Sequence, residues 1–209
     1  PLLHRETLSH LALKHAKQGK GSRPDPGVCF EALLLREVRG HPNAIALLDV
    51  WVLRPSACYL ISPRYDFALD TSCFASRATN APLMRDGASQ TLAGLAWIHS
   101  KGVIHTDIEP QHIIVRPVRR NTSGAEAEPS GAEAVPSEEA APIEEAAPTQ
   151  YEVALADLSH ARSMAIASQV QYERGDVSTG GLPISTLWYR APEILAGTTV
   201  VTDKIDVWA

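Results

Sequence analysis

Residues 105–112 read His-Thr-Asp-Ile-Glu-Pro-Gln-His, and this stretch decides how the rest of the chain is interpreted. The apolar pair Val103-Ile104 precedes it, and the apolar run Ile113-Ile114-Val115 follows it. The second run has the length and β-branched composition of a short strand, so the polar stretch is expected to lead directly into a strand. A His-x-Asp pattern alone is weak evidence of function. Its meaning depends on the motifs found elsewhere along the chain.

Four further motifs lie on either side of this polar stretch. Upstream, Lys14 ends the sequence Leu-Ala-Leu-Lys, and Glu31 follows it by 17 residues on a predicted helix. Downstream come Ala-Asp-Leu-Ser at 156–159, Thr-Leu-Trp-Tyr-Arg-Ala-Pro-Glu-Ile-Leu at 186–195 and Asp-Val-Trp-Ala at 206–209. Five motifs in one order carry far more information than any of them does alone.

In this order the motifs resemble those of eukaryotic protein kinases, and most closely those of the cyclin-dependent kinase group. Residues 105–112 resemble the catalytic loop H-R-D-L-K-P-x-N, residues 11–14 the strand motif V-A-I-K, and residues 156–159 the D-F-G loop. Residues 186–195 resemble the end of the activation segment in cyclin-dependent and mitogen-activated kinases. The resemblance covers nearly all of the chain outside one insertion.

The resemblance implies an α+β fold with two lobes. We expect a β-rich small lobe over residues 1–64 and a mainly helical large lobe over residues 65–209. We also expect the domain to be incomplete at both ends. No Gly-rich loop precedes Lys14, and the chain stops where the large lobe of the family continues.

The resemblance implies a serine/threonine kinase that transfers the γ-phosphate of ATP to a protein hydroxyl with Mg²⁺, or Mn²⁺. Asp107 would orient the hydroxyl and accept its proton, and Asp157 would offer a carboxylate to the cation. By the same resemblance, catalytic roles fall to Asp107, Lys14, Glu31 and Thr186, nucleotide binding to Lys14, Asp157 and Tyr65, and metal binding to Asp157 and His112.

The resemblance extends to substrate choice. Arg190 matches an arginine that, in these kinases, holds the residue before the motif's threonine in an unusual backbone conformation. Here that residue is Ser185, and Thr186 would hydrogen-bond towards Asp107. A carbonyl turned away in this manner lets proline, which has no N–H, follow the phosphorylated residue. We therefore expect Ser-Pro or Thr-Pro sites to be preferred.

Several positions depart from the family pattern. Thr106 replaces an arginine, Glu109 a lysine, His112 an asparagine, and Leu158-Ser159 the Phe-Gly after the aspartate. An imidazole suits zinc, copper or iron better than magnesium, and a glutamate would repel phosphate unless a metal intervenes. Two hypotheses therefore stay open: an active kinase, and a pseudokinase that serves as a binding or regulatory module. A third is a fragment that cannot fold alone.

The site that docks the activation-loop phosphate is also depleted. In the cyclin-dependent group three arginines collect this phosphate. Thr106 and Phe30 stand at two of their positions, Arg162 is retained at the third, and the phosphorylated threonine maps to Gly181. We expect any activity to be independent of phosphorylation there.

Composition limits the alternatives. The chain has 209 residues and a formal charge of −5, but seven of its 24 acidic residues are glutamates within residues 121–150. The remaining 17 acidic residues face 19 basic ones, without a basic stripe of the kind that binds nucleic acid. No apolar stretch has the length of a membrane span, and three scattered cysteines predict neither a disulfide framework nor a zinc site. We expect an intracellular protein, nuclear or cytoplasmic, that binds a protein substrate and a cyclin-like regulatory partner.

Residues 121–150 are rich in Ala, Glu and Pro and predict a disordered, dispensable insertion. Periodicity predicts helices over Phe30–Arg39 and Gly87–Ser100. It predicts strands over the following runs: Leu11–Lys14, Ile45–Leu53, Ala57–Ile61, Ile113–Val115 and Tyr151–Leu155.

Overall fold

Strands dominate the first part of the chain and helices the later part. The computed structural model describes residues 10–15, 26–54, 57–69, 81–118, 150–167, 184–197 and 200–209. The predicted insertion, apart from Gln150, lies outside the described residues, and so does Gly181. Within the described ranges, no helix combines the length and apolar character needed to cross a membrane.

The first sheet is antiparallel, with strand order β1-β3-β2. These strands are β1 (Leu11–His15), β2 (Asp49–Arg54) and β3 (Ala57–Pro63). Lys14 lies opposite Leu60 of the central strand. Because side chains alternate between the faces of a strand, Leu60 and Ser62 share one face, and both line the same cavity as Lys14.

Helix α1 (Pro26–Glu37) starts four residues earlier than the predicted helix and ends two residues earlier. Proline is tolerated at the first helical position, where its missing N–H costs no hydrogen bond. Gly40, with a φ of 102°, follows the helix and reverses the chain. The buried apolar side chains at the end of the helix are Leu34, Leu35 and Val38.

The prediction of one strand over Ile45–Leu53 is wrong for its first half. The backbone N–H of Ile45 donates to the carbonyl of Leu155 at 2.8 Å, and the N–H of Leu155 donates to the carbonyl of Asn43 at 2.9 Å. The pairing with β3 begins at Asp49, although the N–H of Leu48 already donates to the carbonyl of Ile61. Asn43 and Ile45 therefore bond to the second sheet, and the chain reaches the first sheet only at Leu48 and Asp49.

The second sheet has strand order β4-β6-β7. It contains β4 (Phe67–Ala68), β6 (Ile113–Pro117) and β7 (Tyr151–Leu155), so both strands predicted to flank the insertion are confirmed. Helix α2 (Ala81–Ser100) packs on β7 and extends the predicted helix towards its N-terminus. Gly94 of α2 lies so close to Asn43 that an added Cβ would be 2.2 Å from the Asn43 carbonyl oxygen.

Short elements complete the described chain. Strand β5 (Val103–Ile104) pairs antiparallel with β8 (Arg162–Ser163), which brings the loop after β5 beside the segment after β7. Three short helices follow: α3 (Met164–Ala167), α4 (Pro192–Leu195) and α5 (Lys204–Trp208). A small apolar cluster joins them to β5 through Ile104, Ala191, Val201 and Ile205.

Candidate active site

A cavity of about 220 Å³ opens between the first sheet, α1 and the loops around β6 and β7. The lining combines apolar side chains with a charged side that holds one lysine and two carboxylates. The lining residues are Lys14, Glu31, Leu35, Ile45, Leu47, Leu60, Ser62, Gln111, His112, Ala156 and Asp157.

Lys14 lies at the centre of the charged side. Its Nζ is 2.9 Å from Glu31 Oε1 and 2.7 Å from Asp157 Oδ1. The predicted Lys14–Glu31 pair is therefore confirmed as a contact. Burial opposes the charged form of Lys14, but the two carboxylates outweigh it and raise the lysine's pKa. The ammonium group thus stays charged and fixed in place.

Asp157 adopts a left-handed backbone conformation, with a φ of 63°. Its Oδ1 accepts hydrogen bonds from Lys14 Nζ and from the Ser159 N–H. Burial would raise the pKa of Asp157, yet these donors hold it far below its ordinary value. The carboxylate is therefore ionised, and its Oδ2 is directed towards His112, at 3.7 Å from Nε2.

Asp107 is buried and contacted from two sides. Its Oδ1 accepts hydrogen bonds from the Thr186 N–H at 3.0 Å and from Thr186 Oγ1 at 3.2 Å, as predicted. Its Oδ2 lies 3.3 Å from His160 Nδ1. Burial favours a higher pKa for Asp107, but the contacts with His160 and Thr186 lower it. Asp107 is thus an ionised carboxylate beside the cavity.

Asp206 holds the backbone that carries Asp107. Its carboxylate accepts hydrogen bonds from the N–H groups of His105 and Thr106, at 2.8 and 2.7 Å, and contacts His99 Nε2 at 2.8 Å. Thr106 has a φ of 66°, a strained value for a β-branched residue, and these contacts hold it there. Asp206 of the Asp-Val-Trp-Ala motif therefore fixes the backbone of His105 and Thr106, the two residues that precede Asp107.

Thr106 and Arg162 both contact the segment that follows Asp157. The Thr106 hydroxyl donates to the His160 carbonyl at 2.7 Å, and Arg162 Nη1 donates to the same oxygen at 2.6 Å. The arginine retained from the predicted phosphate site is therefore engaged with local backbone. Thr106 supplies a second direct contact to this segment.

Each ring nitrogen of His112 lies close to an oxygen atom of a neighbouring residue. Nδ1 lies 2.8 Å from the carbonyl oxygen of Asp107. Nε2 lies 3.4 Å from Glu109 Oε1, on the side that faces Asp157. The three-residue 3₁₀ turn Pro110–His112 brings Glu109 and His112 together, because residues three apart are eclipsed in such a turn.

Ser185 and Arg190 adopt the predicted arrangement. Ser185 has a φ of 61°, and Arg190 Nη2 donates to its carbonyl oxygen at 2.8 Å. Ser185 is nearly buried, next to the Thr186 that contacts Asp107. The backbone feature that the resemblance associates with proline recognition is therefore present.

Tyr65 is predicted to contact the nucleotide, and the structure places its side chain away from the cavity lining. Among the described residues that line the cavity, Tyr65 is absent, and its ring instead lies beneath the guanidinium of Arg116, 5.1 Å from the ring centroid. Strand β3 ends at Pro63, and the chain then turns away towards the second sheet. The geometry gives no support to a nucleotide contact from the Tyr65 side chain.

His160 is a site residue that the sequence analysis missed. Its imidazole contacts the Asp107 carboxylate, although no motif includes it. Burial lowers the pKa of His160 less than the hydrogen bond and charge of Asp107 raise it, so the net shift is upward. The signal available in the sequence was its place three residues after Asp157, in a segment that has to pass the catalytic loop.

Comparison with known proteins identifies the family. A family model described as the protein kinase domain matches residues 2–209. The chain belongs to the protein kinase family. The α+β kinase fold that the motifs imply is thereby confirmed.

A solved structure with a similar fold is described as the yeast RNA Pol II CTD kinase CTDK-1 complex. The TM-score is 0.65 at 20% sequence identity, over 95% of this chain and 51% of the solved chain. This protein kinase chain thus spans about half the length of that relative. The similarity concerns the fold.

Proposed function

We propose that this protein kinase chain transfers the γ-phosphate of ATP to serine or threonine hydroxyls of proteins. The observation that carries the proposal is the double contact of Lys14 Nζ with Glu31 and Asp157. These contacts connect the first sheet, α1 and the loop after β7 around one cationic group. A lysine fixed in this way can bind phosphate oxygens without first having to be ordered.

The lining of the cavity supports the nucleotide binding that the proposal requires. Leu35, Ile45 and Leu60 form apolar surface suited to a purine ring, and Lys14 lies on the charged side. A divalent cation, Mg²⁺ or Mn²⁺, would neutralise phosphate charge there, and Asp157 Oδ2 is a carboxylate oxygen able to hold it. His112, in contrast, offers nitrogen at a position where Mg²⁺ favours oxygen.

Asp107 is placed to act on the substrate hydroxyl. Thr186 holds Oδ1, and Oδ2 remains for the hydroxyl once the His160 ring gives way. As the hydroxyl oxygen forms its bond to the γ-phosphorus, Asp107 accepts the hydroxyl proton, and the bond from phosphorus to the β–γ bridging oxygen breaks. ADP leaves with the electron pair of that bond.

Preference for proline after the phosphorylated residue belongs to the same proposal. The Ser185 carbonyl is occupied by Arg190, so the nearby pocket presents no acceptor that would require an N–H from the substrate. Proline loses nothing at such a position, whereas other residues leave their N–H unpaired. A cyclin-like regulatory partner is also proposed, and the similar solved chain comes from a complex.

A pseudokinase is the second candidate, and the pair Glu109 and His112 favours it. Glu109 places a carboxylate 3.4 Å from His112 Nε2, in a region where the family carries a lysine and an asparagine. Its charge would repel the γ-phosphate. We expect a site with this negative charge to bind nucleotide weakly, or to bind it without transferring phosphate.

The experiment that separates the candidates measures binding and transfer independently. The whole protein is incubated with γ-labelled ATP, Mg²⁺ or Mn²⁺, and peptides containing a Ser-Pro or Thr-Pro site. Nucleotide binding is measured in parallel by isothermal titration calorimetry. Label on the peptides supports the kinase. Nucleotide binding without transfer supports the pseudokinase, and loss of both overturns the proposal.

A further inference from the structure

The carboxylate of Asp107, the proposed base, has a partner at each of its two oxygens. Oδ1 accepts hydrogen bonds from the N–H and the hydroxyl of Thr186, at 3.0 and 3.2 Å. Oδ2 lies 3.3 Å from His160 Nδ1. A substrate hydroxyl has to reach one of these oxygens before Asp107 can accept its proton. Because two hydrogen bonds hold Oδ1, Oδ2 is the oxygen that can be released at the smaller cost.

His160 is the nearer of the two imidazoles that face Oδ2. His112 Nδ1 lies 3.6 Å from Oδ2, but it is 2.8 Å from the backbone carbonyl oxygen of Asp107. The side chain of His112 is 15% exposed, whereas that of His160 is 35% exposed. A ring with more exposure loses less packing when it rotates towards solvent. His160 is therefore the ring that a substrate can displace.

The backbone of His160 is held in place independently of its ring. Its carbonyl oxygen accepts hydrogen bonds from the Thr106 hydroxyl at 2.7 Å and from Arg162 Nη1 at 2.6 Å. Thr106 is itself buried, and its N–H donates to Asp206. Release of Oδ2 therefore requires only a rotation of the His160 side chain. Such rotations are fast compared with movements of loops.

The charges around the His160 ring make the strength of its contact depend on pH. The carboxylates of Asp107 and Asp157 act on the ring from the catalytic loop and from the loop after β7, and Arg162 acts on it from β8. The hydrogen bond and charge of Asp107 outweigh burial, so the pKa of His160 lies above its ordinary value of 6.5. A charged imidazole binds a carboxylate more strongly than a neutral one does. The contact is thus strongest at low pH and weakens as the pH rises through the raised pKa.

We propose that His160 is an autoinhibitory residue of the proposed kinase: its ring occupies the Asp107 oxygen that the substrate hydroxyl needs, so a protein substrate has to displace it. This inference rests on the proposed phosphate transfer and describes a control of the same site. When only a fraction of the molecules is competent to bind, the apparent affinity is reduced by that fraction. The contact should therefore raise the KM for the peptide, most strongly at low pH, and leave the KM for ATP unchanged.

The test compares the whole protein with His160→Leu and His160→Gln in transfer assays with labelled ATP and a Ser-Pro peptide. The assays are run at about pH 6 and about pH 8.5, on either side of the ordinary pKa of histidine. Leucine cannot bind the carboxylate, and glutamine keeps a polar group without a charge. At the lower pH we expect the parent's peptide KM to be about two- to fivefold above that of His160→Leu, the value of one partly exposed ion pair. The difference should shrink at the higher pH.

His15→Asn, which removes an exposed imidazole outside the cavity, is the control and should follow the parent at both pH values. If His160→Leu does not fold, His160→Gln carries the same comparison, because its peptide KM should lie below the parent's only at the lower pH. Equal peptide KM values in parent and variants, or a difference that does not depend on pH, would overturn the autoinhibition. So would an equal change in the KM for ATP, because it would indicate a general effect on the fold.

The assay also separates this inference from the proposed function. Absence of transfer by the parent and by every variant would refute the kinase, and the autoinhibition with it. Transfer by all of them without a pH-dependent difference in peptide KM would leave the kinase standing and refute the autoinhibition alone. Transfer by His160→Leu but not by the parent at the lower pH would support both.

Discussion

The residues on the two sides of the cavity differ in how closely they follow the family pattern. Around Lys14 of the first sheet, the cluster of Lys14, Glu31 and Asp157 retains the residue types of the family and makes the contacts that these types allow. On the side of the catalytic loop, Glu109 and His112 replace a lysine and an asparagine and contact each other. One side keeps the lysine to which we assign phosphate binding, and the other has gained a negative charge and an imidazole.

This difference shows that the fold can preserve a catalytic frame while the chemistry of one edge changes. Asp107 lies between the two sides and keeps its support from Thr186 and from the loop held by Asp206. The contacts around Asp107, the proposed base, are therefore present even where its neighbours are altered. Whether the altered side limits phosphate transfer is an experimental question that substitutions on each side can answer.

The largest effect is expected at the unaltered frame. Asp107→Asn keeps the size of the side chain and its contact with Thr186 but removes the group that accepts the hydroxyl proton. We expect the rate of phosphate transfer to fall by about 10²–10⁴-fold, measured with labelled ATP and a Ser-Pro peptide. Nucleotide affinity should change little. A variant with more than a tenth of the parent rate would mean that Asp107 does not act as a base.

The altered side gives the next largest effect, in the opposite direction. The double variant Glu109→Lys/His112→Asn restores both family residues, so repulsion of the γ-phosphate is replaced by attraction. We expect the Mg²⁺-supported rate to rise by roughly tenfold or more. Glu109→Gln is the control that removes the negative charge without adding a positive one, and it should give a smaller gain. An unchanged rate in the double variant would place the limitation elsewhere.

The proposed preference for proline depends on Arg190 and Ser185, which are not among the residues of the altered side. Arg190→Ala frees the Ser185 carbonyl, which can then accept an N–H from the residue after the phosphorylated one. We expect the preference for proline over alanine at this position, measured as a ratio of kcat/KM values for paired peptides, to fall by roughly three- to tenfold, the value of about one hydrogen bond. Equal preference in parent and variant would contradict the assignment of Ser185.

The contacts that could be predicted are those whose residues sit at fixed places in the family motifs. Lys14 and Glu31 are 17 residues apart, yet their pairing follows from the strand and helix on which they lie. The contacts of Ser185 with Arg190 and of Thr186 with Asp107 follow from one short motif. In these cases the local sequence specifies both the backbone conformation and the partner.

The features that could not be predicted depend on how distant segments cross. His160 meets Asp107 only because β5 pairs with β8 and carries the two loops past each other. Ile45 is predicted to begin a strand of the first sheet but bonds to Leu155 of the second. Tyr65 follows the last residues of β3 closely, but the turn after Pro63 takes its ring to Arg116. An apolar pattern predicts that a residue is buried, but it does not predict which segment of the chain buries it.

The smallest effect concerns His160, which touches the frame from the unpredicted side. Because Asp107 raises the pKa of His160 above its ordinary value of 6.5, the charged imidazole stabilises the fold fully below about pH 6.5, and this contribution is lost as the pH rises through the raised value. The side chain is 35% exposed, so we expect no more than about 1 kcal/mol, or about 2–4 °C in Tm. The measurement is the Tm of the whole protein and of His160→Gln between pH 5.5 and 8.5, at values chosen around the ordinary pKa. The parent should be the more stable of the two at low pH, and the difference should shrink as the pH rises.

His15→Asn, which removes an exposed histidine outside the cavity, is the control and should show no comparable trend. A Tm difference that stays constant across this range would mean that His160 contacts Asp107 only as a neutral ring, and the approach of substrate to Oδ2 would then be independent of pH.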